Sequence, residues 1–336
     1  MRQLIRVVCF CVVFVPLSGH LVAQNFGDLI SGSKADANYL AQGYTAPFMK
    51  ALGAGLNQGW YNTAKPHKKF GVDLTISVAA IAIPSSDNFF TVDNSKLQSI
   101  DLVTDHSGGS VASGTGRGKV PTLLGSSSTQ ATYNTRPATV AFDAPGGIGL
   151  SDLPMSRLPV PVVNLGFGLP KSIDIKFRFV PSVGSDKAKF SLFGVGVMHD
   201  VKQYIPGIKM LPFDLSGFVG YTRMSVNAEL DDTDPTKKGE LKVSATTIQA
   251  LVSKKIAVLT FYGGVGYNFS KSNLAVKGTY DLGGVPVKDP VDLSVAFSGP
   301  RATAGMRLKL AVITFHGDYT FQKYSALTVG FGINVR

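Results

Sequence analysis

Cysteine occurs only at Cys9 and Cys11. Beyond them no disulfide, thiolate metal site or cysteine nucleophile is available. Glutamate is confined to Glu229 and Glu240, and charged residues make up only 16% of the chain. After the first segment no run of about 18 apolar residues appears, which excludes a helical membrane protein. The histidines past that segment, His67, His106, His199 and His316, are widely separated and offer no i,i+4 pair for zinc. There is no Gly-x-Ser-x-Gly elbow. Gly114, Gly116 and Gly118 precede Lys119, but Ser113 stands where a phosphate loop begins and Val120 follows the lysine. That stretch reads as flexible loop. From these absences we expect no enzyme, no cofactor and no metal.

What is present points to a membrane sheet. Glycine (37), Phe (21) and Tyr (11) are abundant. Such a composition suits β-structure with a lipid-facing surface. Arg2 and Arg6 precede an apolar stretch from Val7 to Leu17, followed by Leu21-Val22-Ala23. This predicts a signal peptide over 1–23 and export. The formal net charge is +11, but the positive residues are scattered. Scattered charge on an exported chain fits anionic lipid headgroups and excludes nucleic acid as a partner.

Residues 24–66 carry helical spacing. Tyr39, Leu40, Tyr44, Phe48, Leu52 and Leu56 recur at three-to-four intervals, and Gly53, Gly55 and Gly59 are expected to break the helix before Trp60. We expect a hatch-like helical plug, or a periplasmic cap, built on Tyr39, Leu40, Phe48, Leu52 and Trp60.

From residue 67 to the end the text alternates with period two. Asp174, Lys176 and Arg178 alternate with Ile173, Ile175, Phe177 and Phe179. The fold class predicted is all-β, a closed antiparallel transmembrane barrel of about fourteen strands. The segments counted are 70–83, 88–104, 138–145, 159–168, 171–181, 188–199, 213–228, 241–253, 256–270, 274–282, 291–298, 302–310, 312–321 and 325–335. This count puts loops 105–136 and 231–238 outside the cell and 283–290 on the periplasmic side. Candidate lumen-lining residues are Asp174, Lys176, Arg178, Lys277, Asp281, Arg307, Lys309, His316 and Asp318. His316 and Asp318 share a face, the arrangement a barrel hydrolase would need, but a polar lumen accounts for them equally. In this register Phe177→Arg is the damaging change and Arg178→Ala the milder one.

The stretch from Gly55 through Trp60-Tyr61-Asn62-Thr63-Ala64-Lys65-Pro66-His67-Lys68 to Gly71-Val72-Asp73-Leu74-Thr75 resembles the start of an uncharacterised outer-membrane barrel family of the Bacteroidota. Asp318-Tyr319-Thr320-Phe321-Gln322-Lys323-Tyr324 with Val329-Gly330-Phe331-Gly332 is similar to its ending. The resemblance implies an outer-membrane barrel and no assigned activity. A looser, architectural likeness is to the outer-membrane long-chain fatty-acid transporters, which combine a helical hatch with a fourteen-stranded barrel. The function expected is passive uptake of small, preferably hydrophobic molecules, with a non-transporting structural or secretion-associated barrel as the rival. The partners expected are outer-membrane lipid and lipopolysaccharide, the barrel-assembly machinery and a small hydrophobic ligand.

Overall fold

The computed structural model describes residues 33–335 except 138–139, 151–152, 186–187, 232–233 and 283–284. The expected signal peptide lies outside the described residues. One helix, α1 (Lys34–Leu56), precedes seventeen described strands. β1 (Val72–Ile81) is followed by five short strands, β2 (Phe89–Asp93), β3 (Ile100–Thr104), β4 (Arg117–Pro121), β5 (Thr132–Thr135) and β6 (Ala141–Asp143). Then come β7 (Leu158–Leu169), β8 (Ile173–Gly184), β9 (Ala188–Asp200), β10 (Asp214–Glu229), β11 (Lys238–Ile256) and β12 (Leu259–Lys277). A hairpin of β13 (Thr279–Leu282) and β14 (Val285–Lys288) leads to β15 (Val291–Leu310), β16 (Ile313–Phe321) and β17 (Ala326–Val335).

Ten strands close an antiparallel barrel in the order β1-β17-β16-β15-β12-β11-β10-β9-β8-β7, and β7 pairs back onto β1. The count of fourteen is thereby corrected. Segments 88–104 and 138–145 belong to small sheets outside the barrel, β2–β4 and β3–β5–β6. Segment 274–282 is the end of β12 plus the hairpin strand β13, and 291–298 runs straight into 302–310 as one strand. Gly299-Pro300 reads as a turn in sequence, yet β15 keeps pairing with β12 across it, Asn268↔Gly299 and Tyr267↔Pro300. A proline can stand there because β15 meets β16 only from Ala302 onward, so its other edge is free at that height. The merged strands also reverse the side assigned to 283–290. That connection lies at the same end as the β10–β11 loop, where a Cβ on Gly278 would sit 2.9 Å from Lys237.

The lower part of the wall is apolar outside and polar inside. Outward Ile175, Phe177 and Phe179 alternate with buried Asp174, Lys176 and Arg178; Phe315 and Phe321 alternate with His316, Asp318 and Thr320. Leu74, Val163, Phe193, Val219, Ile248, Phe261, Met306 and Val329 continue the exposed apolar band over the other strands. Only lipid makes such an exterior stable on a closed sheet.

Towards the end that carries the long loops, the same strands invert. On β10, outward Tyr221 gives way to outward Arg223, and Met224 turns inward. On β11, outward Ile248 gives way to Lys242, with Val243 and Ala245 inside. On β15, Leu293 and Val295 are buried while Asp292 and Ser294 face out. The inversion marks where bilayer ends and water begins. Above it the apolar face belongs inside, against α1.

Helix α1 enters from the loop end. Its N-cap Ser33 accepts a hydrogen bond from the Asp36 amide. The buried Asp36 carboxylate accepts from the amides of Gln98 and Ser99 at 2.7 and 2.8 Å, tying the outer layer to the helix. Lower down, Ser272 Oγ donates to Met49 O and Asn57 Nδ2 to Phe269 O. The helix continues through Gly53 and Gly55, where sequence alone expects a break. The reason is crowding: a Cβ on Gly53 would lie 2.5 Å from Ser270 Oγ, and one on Gly55 2.6 Å from Val160 Cγ2. The wall is too close for any other residue. Residues 57–70 then descend to the far end, where β1 begins. Outside the barrel, Leu40 and Tyr44 of α1 pack with Val92, Ile100, Leu102, Val120 and Tyr133 of the small sheets into a second core.

Candidate functional site

The candidate site is the lumen together with a breach in its wall. The lumen is filled. Arg178, fully buried on β8, donates from Nε to Asn164 Oδ1 at 2.7 Å and from Nη1 to Leu56 O at 2.6 Å, and from Nη2 to Gln58 O. Its guanidinium stacks 3.5 Å from the centre of the Trp60 ring. Trp60 fits because Gly196 and Gly220 on the facing wall leave room; a Cβ on either would lie 3.0 or 2.8 Å from the indole. Arg301 on β15 holds the other side, donating to Asn57 O and Gln58 Oε1 at 2.9 Å each. Two arginines thus satisfy carbonyls that the end of α1 leaves open, and they place positive charge at the negative end of the helix. Below, Tyr61 OH donates to Gln249 Oε1 at 2.6 Å, Ser216 Oγ to Ala64 O at 2.6 Å, and Arg307 to Asn62 Oδ1 at 3.0 Å.

At the end opposite the long loops the descending segment meets charged groups from β1 and β8. His67 Nδ1 lies 2.9 Å from Asp174 Oδ2, and its Nε2 lies 3.5 Å from Asp73. Lys176 Nζ sits between the same two carboxylates, at 3.3 and 3.6 Å. These ligand atoms are close enough to hold a metal ion. Lys176 Nζ already occupies the space between the two carboxylates, so an ion there would have to displace it. The cluster is a lock between plug and wall. The cavity beside it, lined by Trp60, Asp73, Lys176 and His316 among others, is about 10 Å³, the size of one water.

The predicted lining residues divide. Asp174, Lys176, Arg178, Arg307, His316 and Asp318 face inward and are buried. Lys309 is half-buried and donates to Asn334 Oδ1. Lys277 is a correction: it is on the outer face of β12, 3.8 Å from Asp289. The apolar residues beside it, Leu274 and Val276, turn inward because α1 stands there. Asp281 lies in the β13–β14 hairpin, off the barrel sheet, and its side chain is outside the described residues. His316 and Asp318 do not pair. Asp318 accepts from Tyr262 OH at 2.8 Å, while His316 Nε2 lies 3.4 Å from Ser77 Oγ and its Nδ1 has no partner. Among the described residues no carboxylate orients the ring as a triad would require. Of the predicted plug residues, Leu40 on α1 and Trp60 beyond its end are buried, and Tyr39, Phe48 and Leu52 are half-buried. Leu52 and Phe48 pack on the core above the bilayer, and Tyr39 on the outer layer. Sequence reasoning missed Arg301. Its parity with Thr303 and Arg307 was available, but an assumed turn at Gly299-Pro300 hid it.

The breach is where β15 loses its second partner. A cleft of about 670 Å³ opens on the lipid side between β15 and the turn after β16. Val265, Pro300, Ala302 and Phe321 form its apolar mouth; Val265 and Phe321 are 62% and 60% exposed. Arg301 and Gln322 lie on its inner side, and Arg301 Nε has no partner.

No curated protein matches the chain. Solved structures with a similar fold include Ail of Yersinia pestis, 13% identical over 48% of this chain and 94% of its own, TM-score 0.25. The translocator domain of the autotransporter NalP from Neisseria meningitidis is 11% identical over 90% and 98%, TM-score 0.30. The outer membrane protease OmpT from Escherichia coli is 8% identical over 79% and 94%, TM-score 0.33. At these scores none assigns an activity, and these matches show neither the Bacteroidota nor the fatty-acid transporters. OmpT does correct one expectation. The absence of soluble-enzyme motifs is no ground for excluding catalysis, since a protease is among the barrels matched. The wall itself, apolar outside and closed, makes the protein an outer-membrane β-barrel. A family model matches residues 1–335, so the chain belongs to the family described as Family of unknown function (DUF6588).

Proposed function

We propose that the protein takes up small apolar molecules from the outer leaflet through the side of its wall rather than along its axis. The observation that carries this reading is the cleft beside Phe321, apolar at its lipid-facing mouth and reaching Arg301 within. Apolar pockets with few polar groups suit apolar ligands. Arg301 holds Asn57 O and Gln58 through Nη1 and Nη2, which leaves its Nε to donate to the polar end of a ligand such as a long-chain alcohol. Residues 24–66 would then serve as a plug that yields from the side.

Gly299 offers the test. A Cβ there meets nothing within 4 Å, so Gly299→Phe would fill the cleft without disturbing the wall. Wild-type protein purified in mild detergent should retain an apolar probe such as a monoaromatic hydrocarbon or long-chain alcohol, and Gly299→Phe should lose it. Equal retention and equal uptake by both would sink the reading. The rival, a permanently filled structural barrel, is favoured by the tight fit of Gly53 and Gly55 against the wall. It predicts no probe bound in either protein.

A further inference from the structure

We infer that the outward face of β10, β11 and β12, just above the apolar band, is a docking surface for the phosphorylated headgroup of outer-leaflet lipopolysaccharide. Pairing puts Arg223 opposite Ser244, and Ser244 opposite Lys271, in one row across three strands. The next row outward is Ser225, Lys242 and Asn273. Strands lie roughly 4.8 Å apart, so Arg223 and Lys271 straddle Ser244 at about 10 Å, with Lys242 above them. All three cationic residues are exposed. Among the described residues neither Arg223 nor Lys271 has an acidic partner. Lys242 is bonded to Glu240 at 2.8 Å, the acid within the patch.

Position adds the second argument. Below these rows on the same strands stand Tyr221, Ile248, Tyr267 and Phe269, all exposed and lipid-facing. The cations therefore sit at the edge of the hydrocarbon, where headgroup phosphates lie. The matching outward positions of β15 are Ser294, Ala296 and Ser298, so the charge is concentrated on three strands. A lipopolysaccharide headgroup presents phosphates on a pair of sugars, which two cations flanking hydroxyl and amide side chains can meet together. A glycerophospholipid offers one phosphate diester and no sugar pair. The patch adjoins the cleft, since Lys271 pairs with Ala296 beside cleft-lining Phe297, but it takes a phosphorylated headgroup rather than an apolar molecule and stands or falls separately from the uptake reading.

The test is native mass spectrometry in mild detergent, titrating diphosphoryl lipid A, dephosphorylated lipid A and phosphatidylglycerol. Wild type should prefer diphosphoryl lipid A. Each cation removed should weaken binding roughly fivefold, so Arg223→Ala, Lys242→Ala and Lys271→Ala together should weaken it about a hundredfold. The triple Arg223→Lys, Lys242→Arg, Lys271→Arg should restore it. Heat-modifiable migration checks that the barrel is intact; should the triple alanine variant fail to assemble, Lys271→Ala alone carries the fivefold prediction. Equal affinity for the phosphorylated and dephosphorylated lipids, equal affinity for phosphatidylglycerol, or no loss in the variants would overturn the assignment.

Discussion

Arg178 and Phe177 are neighbours with opposite duties. Phe177 faces lipid, and Phe177→Arg would place a charge against hydrocarbon at a cost of roughly 2–4 kcal/mol near the midplane. The sequence makes Arg178→Ala look milder, because an inward arginine reads as one of many solvated charges. In the structure it is fully buried and bonded to Asn164, Leu56 and Gln58. Its removal strands carbonyls at the end of α1, and we expect a loss of roughly 3 kcal/mol or more. Urea unfolding in lipid vesicles should show both variants destabilised. Only Arg178→Ala should make residues 34–66 protease-sensitive while the wall stays folded. A second residue-scale prediction concerns Asp101 in the outer layer. Burial pushes its carboxyl up, but Arg136, Ser113 and the Gly114 amide outweigh this and hold it at about 2. A carboxyl depressed on folding stabilises fully above its ordinary value of roughly 3.9 and ceases to as pH falls towards 2. The outer layer should therefore become labile to pepsin between about pH 4 and pH 2, and Asp101→Asn should be labile throughout. Identical digestion of both proteins across that range would contradict it.

Helix α1 fixes the sidedness of the chain. Its N-terminal Lys34 lies beside Lys288 of the hairpin, at the loop end, while β1 starts at the opposite end. Lys34→Cys should react with a membrane-impermeant maleimide on intact cells, and Lys254→Cys near the β11–β12 turn only after permeabilisation. The reverse pattern would invert the topology. The helix also shows what periodicity could and could not reveal. Tyr39, Leu40, Tyr44, Phe48, Leu52 and Leu56 announced a helix correctly. Gly53 and Gly55 argued for a break, since propensity counts the cost of glycine but not the nearness of Ser270 and Val160. Lys277, expected in the lumen, misleads in the same way through its apolar neighbours Leu274 and Val276. Alternation gave their shared face but not its direction, and above the bilayer the apolar face reverses. The charged face of β8 was legible because Ile173 to Phe179 lie where apolar means outward. Gly55→Leu should keep the helix from seating, and limited proteolysis within 34–56 should detect it. Protection equal to wild type would show that the wall yields.

The whole molecule is a ten-stranded wall whose lumen is occupied by its own N-terminal segment. Arg178 and Arg301 clasp the upper end of that segment's descent, and the Asp73–His67–Asp174–Lys176 cluster closes its base. Closed barrel and membrane setting were readable from period-two text and an aromatic-rich outer face. The strand number was not, because Gly299-Pro300 looks like a turn and β2, β3 and β6 look like wall. Nor was the lateral cleft, which depends on β15 outlasting β16, a fact of pairing rather than of residue type. The account stands most directly on planar-bilayer conductance of the full chain. It predicts a sealed protein, with steady current appearing when Arg178→Ala and Arg301→Ala are combined to release the plug. A wild-type protein that conducts as a stable open pore would contradict it.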